Sequence, residues 1–93
     1  ELGKLLYVNK GCNTCHSIDG TRIQGPSFKG IWGQTHQFSN AAPAVVDENY
    51  IRESLLQPTA RVRAGYEAIM PSFQGLLRER EIQALAEYVK SLK

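Results

Sequence analysis

Five consecutive residues carry the most specific chemistry in this chain: Cys-Asn-Thr-Cys-His at positions 12–16. Two cysteines separated by two residues and followed at once by a histidine are the pattern of a covalent c-type haem attachment site. Each sulfur can add to one haem vinyl group to form a thioether, and the histidine can bind the iron through its imidazole. We therefore predict that Cys12 and Cys15 attach one haem c and that His16 is an axial ligand of its iron.

Three other uses of a cysteine pair fit this pattern less well. A zinc ribbon needs a second pair of ligands, and the chain has only two cysteines. A thioredoxin-like redox pair accompanies a βαβ pattern, which this sequence lacks. A structural disulfide would account for the cysteines but not for the adjacent histidine.

The second residue suited to haem iron is Met70, the only methionine in the chain. It lies in residues 59–77, a long connection with little predicted secondary structure, and such loops in compact domains are usually functional or disordered. A thioether is a soft ligand for haem iron, and His/Met ligation raises the reduction potential. Met70 could instead fill a gap in the core, but beside a haem motif we predict axial ligation. Pro71 would stiffen the loop there, and Phe73 is a candidate haem contact.

The loop at residues 13–30 is expected to return past His16. Its Gly25-Pro26 turn would place the Pro26 carbonyl where it can accept the Nδ1–H of His16, the usual arrangement for a metal-bound imidazole. A plain turn is the other interpretation of this dipeptide. An apolar cluster that follows is predicted to line the haem: Phe28, Ile31 and Trp32. A buried indole N–H needs a partner, and a haem propionate is one candidate for Trp32.

His36 is the histidine outside the motif. We interpret it as a surface or loop residue, and the alternative is a sixth iron ligand. It lies in residues 34–46, which show no helical period, and a very short hairpin between 37–39 and 44–46 is predicted here.

Three helices would position these groups. The first is predicted over residues 2–10, ending at Gly11, and the second is helix 47–57, with Asp47 as its N-cap and Pro58 after it. The last is predicted from about 79 to 93, with an apolar stripe at helical spacing. Gly3 lies inside the first helix, where glycine costs about 1 kcal/mol relative to alanine. We expect another helix to pack against it, and a frayed terminus is the alternative.

Length and charge exclude some functions. A chain of 93 residues forms one domain, here residues 1–93. The formal net charge is +2, which implies neither a nucleic-acid partner nor a strong membrane field. No apolar run approaches the ~20 residues that span a bilayer.

The motifs together resemble those of class I cytochromes c over the whole chain: Gly3 with Tyr7, the pentapeptide 12–16, Gly25-Pro26, Met70-Pro71, and Leu85 with Tyr88. The resemblance implies an all-α fold in which the N- and C-terminal helices cross at Gly3 and long loops wrap one haem. Segments 10–20, 25–30, 47–54 and 65–73 are similar to the cytochrome c domain of subunit II of caa-type haem-copper oxygen reductases.

This resemblance implies a one-electron carrier that is not itself an enzyme. The domain would take electrons from a respiratory donor protein and pass them to a dinuclear copper centre, in a cupredoxin domain of the same polypeptide. It would lie on the periplasmic side or outer face of a bacterial cytoplasmic membrane, anchored only through parts outside this chain. A free diffusible cytochrome is one alternative. A peroxidase-like enzyme with a vacant sixth position is another, and Met70 argues against it.

Two positions depart from the family pattern. Arg78 stands where a Ser or Thr would cap the last helix. Val46 stands where mitochondrial cytochromes c place a tryptophan that holds a propionate, so Trp32, Arg61 or a loop backbone group is considered for that role.

Overall fold

The computed structural model describes residues 2–92, and within them three α-helices and one short hairpin position the loops. The helices are α1 (Leu2–Asn9), α2 (Glu48–Leu56) and α3 (Glu79–Ser91), and the strands are β1 (Thr35–His36) and β2 (Ala44–Val45). This confirms the predicted all-α fold. None of the helices in the described range is both long and apolar enough to cross a bilayer. The predicted end of the last helix at Lys93 lies outside the described residues.

Helices α1 and α3 cross at Gly3. A Cβ atom on Gly3 would meet the backbone carbonyl of Ala84 and would lie 2.8 Å from Cβ of Tyr88. The rings of Tyr7 and Tyr88 meet beside the crossing, with their centroids 5.6 Å apart. Close packing therefore requires glycine at position 3, because any side chain would force the two helices apart.

Helix α2 packs on α3 and begins at the predicted cap. The Asp47 carboxylate accepts a hydrogen bond of 2.9 Å from the backbone N–H of Tyr50. Ile51 and Leu55 are the buried residues of the helix. On its other side, Arg52 lies 3.6 Å from Glu48, and its guanidinium also bonds both carboxylate oxygens of Glu79. Arg52 thus ties α2 to the first turn of α3, which the sequence analysis did not anticipate.

Helix α3 begins without the Ser or Thr side-chain cap that the family resemblance leads one to expect. An arginine side chain has no hydrogen-bond acceptor, so Arg78 cannot bond the free N–H groups of the first turn. Glu81 supplies the other half of a capping box, because its carboxylate accepts from the backbone N–H of Arg78 at 2.7 Å.

The core forms where the three helices pack against Ile31 and Val46, in the segment that follows residue 30. Val46 is 1% exposed and packs among the buried aliphatic residues of all three helices. Val46, which stands where mitochondrial cytochromes c place a tryptophan, is therefore a core aliphatic residue and offers no hydrogen bond to a propionate.

The hairpin differs in register from the prediction. Thr35 pairs with Val45 and His36 with Ala44, so the first strand precedes the predicted 37–39. Residues 37–39 pair instead with the long loop, because the N–H of Ser39 donates to the Val62 carbonyl at 2.9 Å and the N–H of Ala64 donates to the Gln37 carbonyl at 2.8 Å. A long-range pairing that sequence periodicity cannot reveal decides the register.

The crossing predicts the effect of a side chain at residue 3. We expect Gly3→Val to lower the free energy of unfolding by about 1–3 kcal/mol, because an extra side chain overpacks the contact with Ala84 and Tyr88. Urea unfolding measures this, and Lys4→Val, at an exposed position of the same helix, is the matched control. A Gly3→Val change within about 0.5 kcal/mol of the control, the usual range of a surface substitution, would contradict the packing contact.

Candidate haem site

The pentapeptide folds into a single tight turn directly after α1. Gly11, with φ 77°, ends α1 in the left-handed region that favours glycine. A 3₁₀ turn over Cys12–Thr14 follows, and the N–H of His16 donates to the Cys12 carbonyl at 2.9 Å. The turn brings both sulfurs and the imidazole to the wall of one cavity. The local backbone therefore presents all three groups together, as the motif predicts.

The imidazole of His16 is held by the predicted partner. Its Nδ1 lies 2.8 Å from the Pro26 carbonyl oxygen. Because a carbonyl can only accept, Nδ1 carries the proton and Nε2 keeps its lone pair for a metal. Burial lowers the pKa of His16, and the bond to Pro26 acts in the opposite direction. A neutral imidazole in this tautomer is the form that binds iron.

Gly25 contributes more than a turn. A Cβ at this position would lie 2.6 Å from Cε1 and 2.9 Å from Nδ1 of His16. The backbone N–H of Gly25 also donates to the Cys15 carbonyl at 2.7 Å. Only glycine lets the chain pass this close to the ring and place the Pro26 carbonyl beside Nδ1. Sequence reasoning missed this role, since the dipeptide signals only a turn.

Two aromatic residues connect the motif to the helix crossing. Phe28 stacks on the His16 ring, with centroids 4.5 Å apart and an interplanar angle of 19°. The Tyr7 hydroxyl donates to the His16 carbonyl, and its ring lies 5.8 Å from that of Phe28. The position of His16 thus depends on α1 and α3 as well as on the haem motif.

Met70 reaches the same cavity from the long loop. Helix α2 anchors the loop next to it, because the N–H of Phe73 donates to the Leu55 carbonyl at 2.7 Å and the Ser72 hydroxyl donates to the Leu56 carbonyl at 2.8 Å. Earlier in the loop, Arg22 bonds the Gly65 carbonyl and lies 4.2 Å above the ring of Tyr66. The loop is therefore attached on both sides of Met70, which is half-buried against the core.

The cavity brings together most of the residues predicted from the sequence. Its walls include the following predicted site residues: Cys12, Cys15, His16, Pro26, Phe28, Met70 and Phe73. Trp32 is not part of the wall. It follows Ile31, which does line the cavity, and packs half-buried against the core with Nζ of Lys90 5.9 Å from its ring. The structure thus gives no support to Trp32 as a haem or propionate contact.

Arg61, the other side chain considered for a propionate, has partners of its own. It lines the cavity, but its guanidinium lies 2.8 Å from the Glu53 carboxylate and donates to the Ala42 carbonyl at 3.0 Å.

His36 corrects a prediction. The residue lies in β1 and is 3% exposed, so its interpretation as a surface residue is wrong. It lines the same cavity as the haem motif. No local pattern around residue 36 signals burial, because the cover is provided by the long loop.

These groups fit a covalently bound haem. Two sulfurs, an imidazole with its Nε2 lone pair available and a thioether share one cavity, and the buried Nε2 atom of His36 lacks a partner there among the described residues. A bound haem c would supply an iron that exchanges one electron. The chain would attach it through Cys12 and Cys15, offer His16 and Met70 as ligands, and exclude water with the surrounding side chains.

Comparisons with known proteins agree with this site. A family model described as "Cytochrome c" matches residues 1–93. The chain is 30% identical to cytochrome c2 iso-1 of Magnetospirillum fulvum, over 88% of this chain and 91% of that protein. It is 30% identical to cytochrome c-551 of Pseudomonas aeruginosa, over 97% of this chain and 76% of that protein. It is also 30% identical to the cbb3-type cytochrome c oxidase subunit CcoP of Helicobacter pylori, with all of this chain matched to 28% of that subunit.

The contact of Gly25 with the imidazole predicts a test. We expect Gly25→Ala to destabilise the holo-protein by about 1–3 kcal/mol through overpacking and to produce a high-spin fraction, because the displaced His16 ring binds iron less well. Urea unfolding and the absorption spectrum measure both effects. Ile23→Ala, at a neighbouring position that is 40% exposed, is the control, and identical behaviour of the two variants would refute the contact.

A second test concerns Met70. We expect Met70→Ala to abolish the methionine–iron charge-transfer band of the ferric protein and to lower the reduction potential, because a ligand that favours ferrous iron is lost. Leu76→Ala, in the same loop, 62% exposed and outside the cavity wall, should leave both unchanged. Retention of the band and potential in Met70→Ala would show that another residue is the ligand.

Proposed function

This chain belongs to the cytochrome c family, and we propose that it is the electron-carrier domain of a respiratory terminal oxidase. In this proposal the domain accepts single electrons from a respiratory donor protein. It delivers them to a dinuclear copper centre in a cupredoxin domain of the same polypeptide.

The observation that carries the role of electron carrier is the joint placement of His16 and Met70. Both side chains line one cavity with the two attachment cysteines. If both bind the iron, no coordination position remains for a substrate, and the ligands stay in place when the oxidation state changes. Such a site suits electron transfer rather than peroxidase-like chemistry.

Two observations support an oxidase as the destination. The whole chain matches 28% of an oxidase subunit, CcoP, so domains of this kind occur inside larger oxidase polypeptides. The segments around the haem motif and around Met70 resemble the domain fused to subunit II of caa-type enzymes, and the copper acceptor is proposed from that resemblance.

A free diffusible carrier is the second candidate. The similarity to cytochrome c2 iso-1 and to cytochrome c-551 favours it, because the chain covers most of the length of both proteins. In either case we expect the domain on the periplasmic side or outer face of a bacterial cytoplasmic membrane, since haem attachment in this family takes place outside the cytoplasm. We expect no nucleic-acid partner.

The charges around the cavity suggest how a partner docks. Arg61 is paired with Glu53, which offsets its charge, whereas Arg63 contacts the neutral ring of His36 and keeps its charge. Lys10 and Glu67 also lie at the cavity wall, so the lining charges without an ion-pair partner among the described residues are two positive and one negative. A small positive rim of this kind raises the encounter rate with an acidic surface.

Stopped-flow kinetics test the acceptor. We expect the reduced domain to transfer its electron rapidly to an oxidised soluble cupredoxin domain that carries the dinuclear copper centre of a caa-type oxidase. The second-order rate should fall as ionic strength rises, because salt screens the attraction between the rim and an acidic partner. At low salt, Lys10→Glu should slow the transfer.

Lys4→Glu is the matched control, since it makes the same change of charge on an exposed position of α1 away from the cavity. Equal slowing by both variants, or a rate that is flat in salt, would contradict steering by the rim. Slow transfer to dinuclear copper under all conditions, with fast exchange to a soluble cytochrome partner, would favour the diffusible carrier.

A further inference from the structure

A buried histidine faces the haem cavity with one nitrogen unpartnered. The side chain of His36 is 3% exposed and lines the cavity. Its Nε2 is the one buried side-chain nitrogen or oxygen without a hydrogen-bond partner in residues 2–92. Buried polar groups in native proteins are nearly always paired, so this atom calls for a partner that the polypeptide does not supply.

The other ring nitrogen determines what kind of partner is missing. Nη1 of Arg63 lies 3.2 Å from Nδ1 of His36. A guanidinium can only donate, so Nδ1 accepts and carries no proton. In the neutral ring the proton is therefore on Nε2, which makes Nε2–H a donor that requires an acceptor. Burial and the nearby Arg63 charge keep the ring neutral by lowering the pKa of His36 to about 4.

The backbone holds this pair in place. Phe38 and Arg63 form an antiparallel bridge, flanked by the hydrogen bonds between 37–39 and 62–64 described above. Tyr50 presents its ring to His36 in an edge arrangement, with centroids 6.3 Å apart. His36 is therefore fixed in the cavity wall by two elements that are distant in sequence.

We propose that His36 donates a hydrogen bond from Nε2 to a carboxylate of a haem propionate, and that Arg63 is the positioning residue that sets its tautomer. The propionates are the hydrogen-bond acceptors at the edge of the haem, since its ring nitrogens are occupied by iron. A protonated Nε2 has no lone pair for the metal, so His36 in this state is not an iron ligand.

This assignment supplies a propionate partner in a chain that has Val46 at the tryptophan position. Val46 is a buried aliphatic residue where a tryptophan would reach the propionate, and Trp32 lies outside the cavity wall. Arg61 is held by Glu53. Among the described residues, His36 is the one that lines the cavity with a buried donor lacking a partner. The inference requires only the covalent haem, so it stands or fails independently of the electron acceptor.

Nuclear magnetic resonance of the ferrous holo-protein with ¹⁵N-labelled histidine tests the proposal directly. The chain has two histidines, so assignment is simple. We expect the His36 ring to show a slowly exchanging proton on Nε2 and a bare Nδ1. With ¹³C-labelled haem carboxylates, a scalar coupling across the hydrogen bond should connect Nε2–H to one propionate. A proton on Nδ1 instead, an Nε2 bound to iron, or a coupling to no propionate would overturn the proposal.

Substitutions provide a readout that a merely structural role would not produce. His36→Phe fills the space without a donor, whereas His36→Gln can place an amide N–H near the position of Nε2. We expect His36→Phe to shift the reduction potential to a more negative value, because a carboxylate that has lost its hydrogen bond favours ferric iron more strongly, and His36→Gln to restore most of it. Arg63→Leu should move the His36 proton away from Nε2 in part of the molecules.

The exposed neighbour Gln37 offers a control, and Gln37→Leu should leave the potential and the imidazole signals unchanged. If His36→Phe and His36→Gln shift the potential equally while both remain folded, the donor has no role and the proposal fails. If neither folds, the labelled wild-type protein still decides the question through the position of the proton.

Discussion

The hydrogen bond from His16 to the Pro26 carbonyl is the constraint on which the rest of the site depends. It places the proton on Nδ1 and leaves Nε2 available for iron. It also requires Gly25, because any side chain there would occupy the space of the ring. Through the Tyr7 hydroxyl, which bonds the His16 carbonyl, the same residue is coupled to the crossing of α1 and α3. The stability of the helix contact and the orientation of the His16 ring therefore depend on the same set of contacts.

The two histidines of this protein are assigned opposite tautomers by their partners. A carbonyl accepts from Nδ1 of His16, while a guanidinium donates to Nδ1 of His36. The first arrangement leaves a lone pair available to a metal, and the second leaves an N–H available to an acceptor. A histidine in this cavity can therefore serve either as an iron ligand or as a hydrogen-bond donor to a carboxylate. The group that contacts its Nδ1 decides which of the two roles is open to it.

The long loop at residues 59–77 owes its order to attachments at several points rather than to secondary structure of its own. It bonds residues 37–39 near its start, Arg22 near its middle and the last turn of α2 after Met70. Such attachments restrict the position of the thioether, and a ligand that stays in place between oxidation states keeps the structural change per electron small. The loop also covers His36, so a single segment carries the candidate ligand Met70 and completes the proposed propionate contact.

The sequence alone determined the attachment motif and the N-cap at Asp47, and it predicted the ligand Met70, the Pro26 partner of His16 and a helix contact at Gly3 with an alternative left open for each. Each of these depends on residue type and short-range spacing, which a sequence displays directly. Only the tertiary structure decided the register of the hairpin, the burial of His36, the position of Trp32 outside the cavity wall and the bond of Arg52 to Glu79. These features arise where segments far apart in the chain meet, such as 37–39 with 62–64 or α2 with α3. Local periodicity in the sequence cannot reveal these long-range contacts, because the free energy that stabilises them comes from interactions that exist only after the chain has folded.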